Sequence, residues 1–118
     1  MDCKVRLRSD IWVAAYLRRC AVEGAWAVLR RRGDAEAGAI FVKLDRLDGT
    51  AALFGPAPQT ETGERGVERL WVRLHKEQWT EPSKAEERLR KELDFDPDLW
   101  IVEVEDRSGR SFLDLARD

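Results

Sequence analysis

The stretch GAIFVKLDRLDGTAALFGPAP, residues 38–58, decides the fold. It reads as two strands, Ala39 to Arg46 and Thr50 to Phe54, with Asp48-Gly49 between them. Asp-Gly between apolar runs is a strong hairpin signal, because glycine takes a positive φ without steric penalty. In the first strand Ile40, Val42 and Leu44 share one face; Phe41, Lys43 and Asp45 share the other. Gly55-Pro56 closes the second strand.

Upstream lies a helix. Ser9 and Asp10 stand at the N-cap position, Ile11 to Glu23 carries the periodicity, and Gly24 suits the left-handed residue past its end. Trp12, Val13, Ala14, Tyr16, Leu17, Cys20 and Ala21 fill an arc wider than a surface helix needs. That arc predicts burial on two sides or contact with a partner. Ala25 to Arg32 follows as a strand ending in three arginines. Trp12, Trp26 and Trp100 are read on apolar faces.

Downstream, Pro56 to Gly66 reads as a loop and Val67 to His75 as a strand. Leu70, Val72 and Leu74 form its apolar face; Arg69, Trp71, Arg73 and His75 its polar face. Pro82 to Leu93 is rich in helix formers, with Thr80 or Ser83 as cap and only Ala85, Leu89 and Leu93 as an apolar stripe. Leu99 to Asp106 is a strand, Ser108-Gly109 a turn, and Phe112 to Leu115 a short last strand. The order α-β-β-β-β-α-β-β predicts an α+β fold. The expected sheet is mainly antiparallel, with about six strands, the first three a meander joined by short turns, and two helices packed on one face. At 118 residues, one domain spanning 1–118 is expected.

The net charge of −2 conceals an asymmetry. Residues 1–32 carry eight Lys or Arg against three acids, whereas residues 67–118 carry ten against fourteen. A basic first third meets an external anion, or the acidic remainder of the same chain or of a second copy. Cys3 and Cys20 do not make a disulfide framework. The apolar run Ile11–Leu17 is far short of the roughly 20 residues of a membrane span. No membrane association is expected, and the cytoplasm is the expected location.

The residues for chemistry are sparse. Ser9, Ser83, Ser108 and Ser111 sit at caps or turns, and no GxSxG occurs. The single histidine, His75, cannot assemble a metal site alone. Gly63 and Gly66 have the spacing of a nucleic-acid-clamping loop but precede a strand. Two carboxylate groups are candidates for acid–base work: Asp45 with Asp48 around the hairpin turn, and Glu103, Glu105 and Asp106 late in the chain, where Glu103 and Glu105 alternate with Val102 and Val104 as a solvent-facing row does. No catalytic residue, metal or cofactor is expected. Arg18, Arg19, Arg30, Arg31 and Arg32, interleaved with Trp12, Tyr16 and Trp26, are the candidate anion-binding set. Trp71 and Trp79, with Arg69 and Arg73, are the candidate interaction set, since exposed Trp and Arg are frequent interface anchors.

Four segments carry a resemblance: WVAAYLRRC at 12–20, RRGDAEAGAIFVK at 31–43, RLDGTAALFGPAP at 46–58 and FDPDLWIVEVEDRSGRSFL at 95–113. The chain is similar over nearly its whole length to small alphaproteobacterial proteins grouped as domain of unknown function 1491 (DUF1491). The resemblance implies a cytoplasmic bacterial protein of about this length and carries over no activity or catalytic residue. The residues themselves favour a non-catalytic protein-interaction or adaptor module, expected as a homodimer or bound to a protein partner, using Trp71, Trp79, Arg69, Arg73 and the first helix. A nucleic-acid or polyanion binder using the five arginines is the alternative, and a small hydrolase the third.

Overall fold

The computed structural model describes residues 7–58 and 69–116. In chain order the elements are α1 (Ser9–Val22), β1 (Trp26–Arg31), β2 (Ile40–Asp45), β3 (Ala51–Pro56), β4 (Trp71–Arg73), α2 (Pro82–Phe95) and β5 (Trp100–Glu105). They form an α+β fold on a five-stranded sheet of order β1-β5-β2-β3-β4.

The hairpin forms where Asp48-Gly49 places it. Arg46 N–H donates to the Thr50 carbonyl at 3.0 Å, so Leu47, Asp48 and Gly49 make the turn. Gly49 has φ 88°, and Leu47 is also left-handed at 63°. Two carboxylates hold this backbone: Asp45 accepts from Leu47 N–H at 2.8 Å and Asp48 from Thr50 N–H at 3.0 Å.

The expected three-strand meander does not form, because β1 does not pair with β2. β5 inserts between β1 and β2, antiparallel to the first and parallel to the second. The other pairs, β2·β3 and β3·β4, are antiparallel. Burial explains the insertion. Parallel pairing belongs in a sheet interior covered on both faces, and β2, β3 and β5 are the strands buried almost throughout. Phe112 to Leu115 is not a strand; Leu115 makes one isolated bridge to Trp71. The fourth strand shrinks to Trp71–Arg73. Its expected beginning, Val67-Glu68, and most of the expected 56–66 loop lie outside the described residues.

The helices cover opposite faces rather than one. Val13, Tyr16 and Cys20 of α1 pack on Ile40, Val42, Leu44, Ala52, Phe54, Trp71, Trp100, Val102 and Val104. Ala85 and Leu89 of α2 pack on Phe41, Leu53, Leu99 and Ile101. Alternation along each strand sends its side chains to both faces, and each face has enough hydrocarbon to need a cover.

Neither helix has a side-chain cap. The N-cap positions are Arg8 and Glu81, with Pro82 opening α2. Ser9 and Asp10 instead give their backbone N–H groups to the carbonyls of Glu36 and Ala35 at 3.2 and 2.9 Å. The Ser9 hydroxyl, wholly buried, donates to the Gly38 carbonyl at 2.7 Å. The 34–38 loop thus satisfies groups that a helix start leaves without internal partners.

Candidate functional site

β1 ends the sheet, and among the described residues its outer edge has no strand partner. Ala27 and Leu29 turn inward and pack against the α1 core. Trp26 and Val28 point to the α2 face, but the cluster under α2 does not reach them. They are 54% and 38% exposed, so the apolar face read for Trp26 exists but lies uncovered. A register shift between Leu29 and Arg31 bends the strand and ends its regular pairing. The opposite edge is partly closed by the chain itself: Trp71 N–H donates to the Asp114 carbonyl at 2.9 Å, and Ala116 N–H to the Trp71 carbonyl at 2.8 Å.

Beside β1, four charges from four elements interlock. Lys43 Nζ on β2 lies 2.6 Å from Glu86 Oε2 on α2. Arg30 on β1 reaches the same carboxylate at 2.7 Å and Glu103 on β5 at 3.2 Å. Lys43 and Glu103 are 3.9 Å apart. The Arg30 hydrogen bonds are the largest influence holding the Glu86 carboxyl down at about 2, with Lys43 adding to them and burial opposing. The arrangement ties α2 to three strands and leaves none of the four groups unpaired for chemistry. Sequence reading placed Lys43 on the face of β2 shared with Phe41 and Asp45; a lysine inside the run IFVKL was the available signal that a buried countercharge must exist.

The expected interaction residues are placed as follows. Trp71 is 2% exposed; its indole N–H donates to the Ile40 carbonyl at 3.1 Å, and its ring lies 4.5 Å from that of Trp12. It faces the α1 core rather than solvent. Arg69 donates to the Leu7 carbonyl at 2.8 Å and to the Ser9 hydroxyl at 3.2 Å. Arg73 lies over the Phe54 ring at 5.0 Å and near Trp79 at 5.7 Å. Trp79 is half-buried, with the Arg46 guanidinium 3.9 Å above its ring. The structure therefore brings Arg73 and Trp79 together and sends Trp71 inside.

The five candidate anion-binding arginines stand in separate contacts. Arg18 and Arg19 are exposed on α1, with Arg19 over the Phe112 ring at 5.8 Å. Arg30 belongs to the network above. Arg31 donates to the Pro97 carbonyl at 2.7 Å, and Arg32 lies over the Trp100 ring at 5.1 Å.

His75 is held by backbone on both sides. Leu53 N–H can only donate, so Nε2 accepts it at 3.1 Å, and Nδ1 carries the hydrogen given to the Glu77 carbonyl at 2.7 Å. Among the described residues no group of His, Cys, Asp and Glu could hold a metal ion. A cavity of about 210 Å³ opens between α1 and residues 112–114, walled by Trp12, Tyr16, Trp71 and Phe112. It is smaller than the roughly 300–1,000 Å³ of small-molecule sites, whereas a cavity of about 430 Å³ beside β4, walled by Trp71, Arg73, His75 and Leu115, falls within that range.

Sheet, helices and open edge define a small α+β protein whose distinguishing surface is one end of a mixed sheet. The chain belongs to the DUF1491 family: the model described as "Protein of unknown function (DUF1491)" matches residues 7–114. It is similar to a DUF1491 family protein from Caulobacter crescentus CB15, solved by crystallography (39% identity, 94% of this chain and 98% of that one, TM-score 0.76). A solution structure of a DUF1491 family protein from Caulobacter crescentus CB15 gives 41% identity over 95% of this chain and 97% of that one, with TM-score 0.77. A protein from A. tumefaciens is 33% identical over 97% and 98%, with TM-score 0.80. Comparison with curated proteins finds no match. No helix among the described residues is long and apolar enough to cross a membrane.

Proposed function

We propose that this chain, as one domain in the cytoplasm, works by protein binding rather than by turnover, and that its binding element is the open edge of β1. The observation that carries this reading is the uncovered pair Trp26 and Val28 on a strand that, among the described residues, has no partner along its outer side. An open edge offers backbone N–H and C=O groups to an extended strand, and apolar side chains beside it supply contact area. The partner is a protein strand, whether of a second copy or of another chain. The engagement of His75, Lys43, Glu86 and Glu103 in backbone bonds and ion pairs supports binding over catalysis.

A photo-crosslinking residue at position 28 tests this directly, with the same residue at Lys91 on the exposed side of α2 as control. Discrete adducts from position 28 that position 91 does not give are expected in cells. Equal labelling from both positions, or none from either, overturns the reading.

A further inference from the structure

Resting on that reading, we propose that the strand docking on β1 is β1 of a second copy, antiparallel about a twofold axis through Ala27. The argument is one of matching faces and charges. An antiparallel pair related by a twofold axis keeps equivalent faces on the same side, so residues opposite one another must share a face. With Ala27 opposite its own copy, Trp26 of one chain meets Val28 of the other, twice. Both residues lie on the α2 face, and both are exposed in the single chain. Centring the pair one residue later sets Trp26 against Arg30, a residue already bound to Glu86 and Glu103.

The same register aligns charge. The strand is basic at its end, Arg30 to Arg32, and Glu23 precedes its start. Glu105 lies beside Trp26 on β5. Centred on Ala27, the antiparallel pair runs the Arg30–Arg32 end of each copy past the α1–β1 turn of the other, where Glu23 stands exposed just before Gly24. It also keeps the two arginine clusters at opposite ends of the interface. The irregularity after Leu29 and the arginines are the devices that stop indiscriminate edge pairing. Here they confine pairing to 25–29 and select a partner that is acidic where this chain is basic. The result is one continuous sheet of ten strands, five from each copy.

Light scattering after size exclusion tests the proposal on the full chain. The wild type is expected at twice the mass of one chain. Trp26→Glu and Val28→Lys change exposed side chains, and each is expected to give a monomer with unchanged far-UV dichroism. Glu23→Arg alone and Arg31→Glu alone are expected to weaken the dimer at least tenfold, since each sets like charges together twice. An equal mixture of those two variants restores both pairs in a heterodimer and is expected to recover wild-type mass. A monomeric wild type, a dimer indifferent to both edge variants, or a mixture without recovery overturns the proposal. A monomeric wild type that still gives position-28 adducts with other proteins defeats this inference alone; loss of the adducts defeats the underlying reading.

Discussion

Lys43 Nζ sits 2.6 Å from Glu86 Oε2, and this contact joins the least exposed lysine of the sheet to the outer helix. Its two ends are unequal. Lys43 is buried, whereas the Glu86 side chain is 36% exposed and shared with Arg30. Glu86→Gln strands a buried ammonium with only Glu103 at 3.9 Å and is expected to cost about 2 kcal/mol. Lys43→Met leaves Glu86 paired with Arg30 and replaces a buried charge by hydrocarbon, so its cost is expected below about 1 kcal/mol. Urea unfolding of both variants checks the order. The carboxyl of Glu86 is depressed from 4.5 to about 2, so its contribution is complete above pH 4.5 and lost as pH falls toward 2. Glu86→Gln should flatten that part of the stability profile.

His75 supplies a second pH dependence, at higher pH. Burial is the first cause that pushes its pKa below 6.5. The unfolded chain therefore takes up a proton in a range where the folded chain does not. Stability is full above pH 6.5 and falls as pH drops through that value toward the lower folded one. His75→Ala also removes the acceptor for Leu53 N–H, at a cost of about 1–2 kcal/mol. Unfolding midpoints at pH 7.5 and 5.5 should differ in the wild type and differ less in the variant.

Two glycines separate crowding from backbone strain. A Cβ on Gly33 would strike the backbone of Asp98 and Leu99, which cannot move without shifting the start of β5. Gly24 has φ 85° and open space around it. Gly33→Ala is expected to cost about 3 kcal/mol, and Gly24→Ala about 1 kcal/mol from left-handed strain alone. Thermal unfolding of the pair, measured side by side, gives the ranking.

Cys20 is wholly buried against the sheet, and burial pushes its thiol pKa up. Its reaction with a disulfide reagent requires opening of α1. In a Cys3→Ser background the native protein should label at the rate of opening, and denaturant should accelerate labelling by orders of magnitude. Labelling at the rate of a free thiol without denaturant would contradict the packing of α1.

The local parts of this fold were legible in the sequence. Asp48-Gly49 marks its own turn, and α1 and α2 declare themselves by period and composition. Insertion of β5 was not, since a pairing such as Val42 with Val102 leaves no nearby trace. The two-sided cover was legible in part: Phe41, Leu53 and Ile101 are apolar residues on the face opposite Val42, Ala52 and Val102. Trp71 misled because its neighbours Arg69 and Arg73 look like a solvent face. In the fold Arg69 reaches back to Leu7 and Arg73 covers Phe54, so both arginines pack along the protein. The β1 edge could not be found from Trp26 alone, because only the sheet order shows which strand is last.

Hydrogen exchange at residues 26–29 tests the central claim most directly, compared with residues 102–105 of β5 in the same sample. β1 amides that face away from β5 should exchange rapidly in dilute protein and slow at least tenfold as concentration rises, while β5 stays protected throughout. β1 amides protected to the same degree at every dilution would show that the chain covers this edge itself. Rapid exchange at every concentration would show that nothing in solution pairs with it.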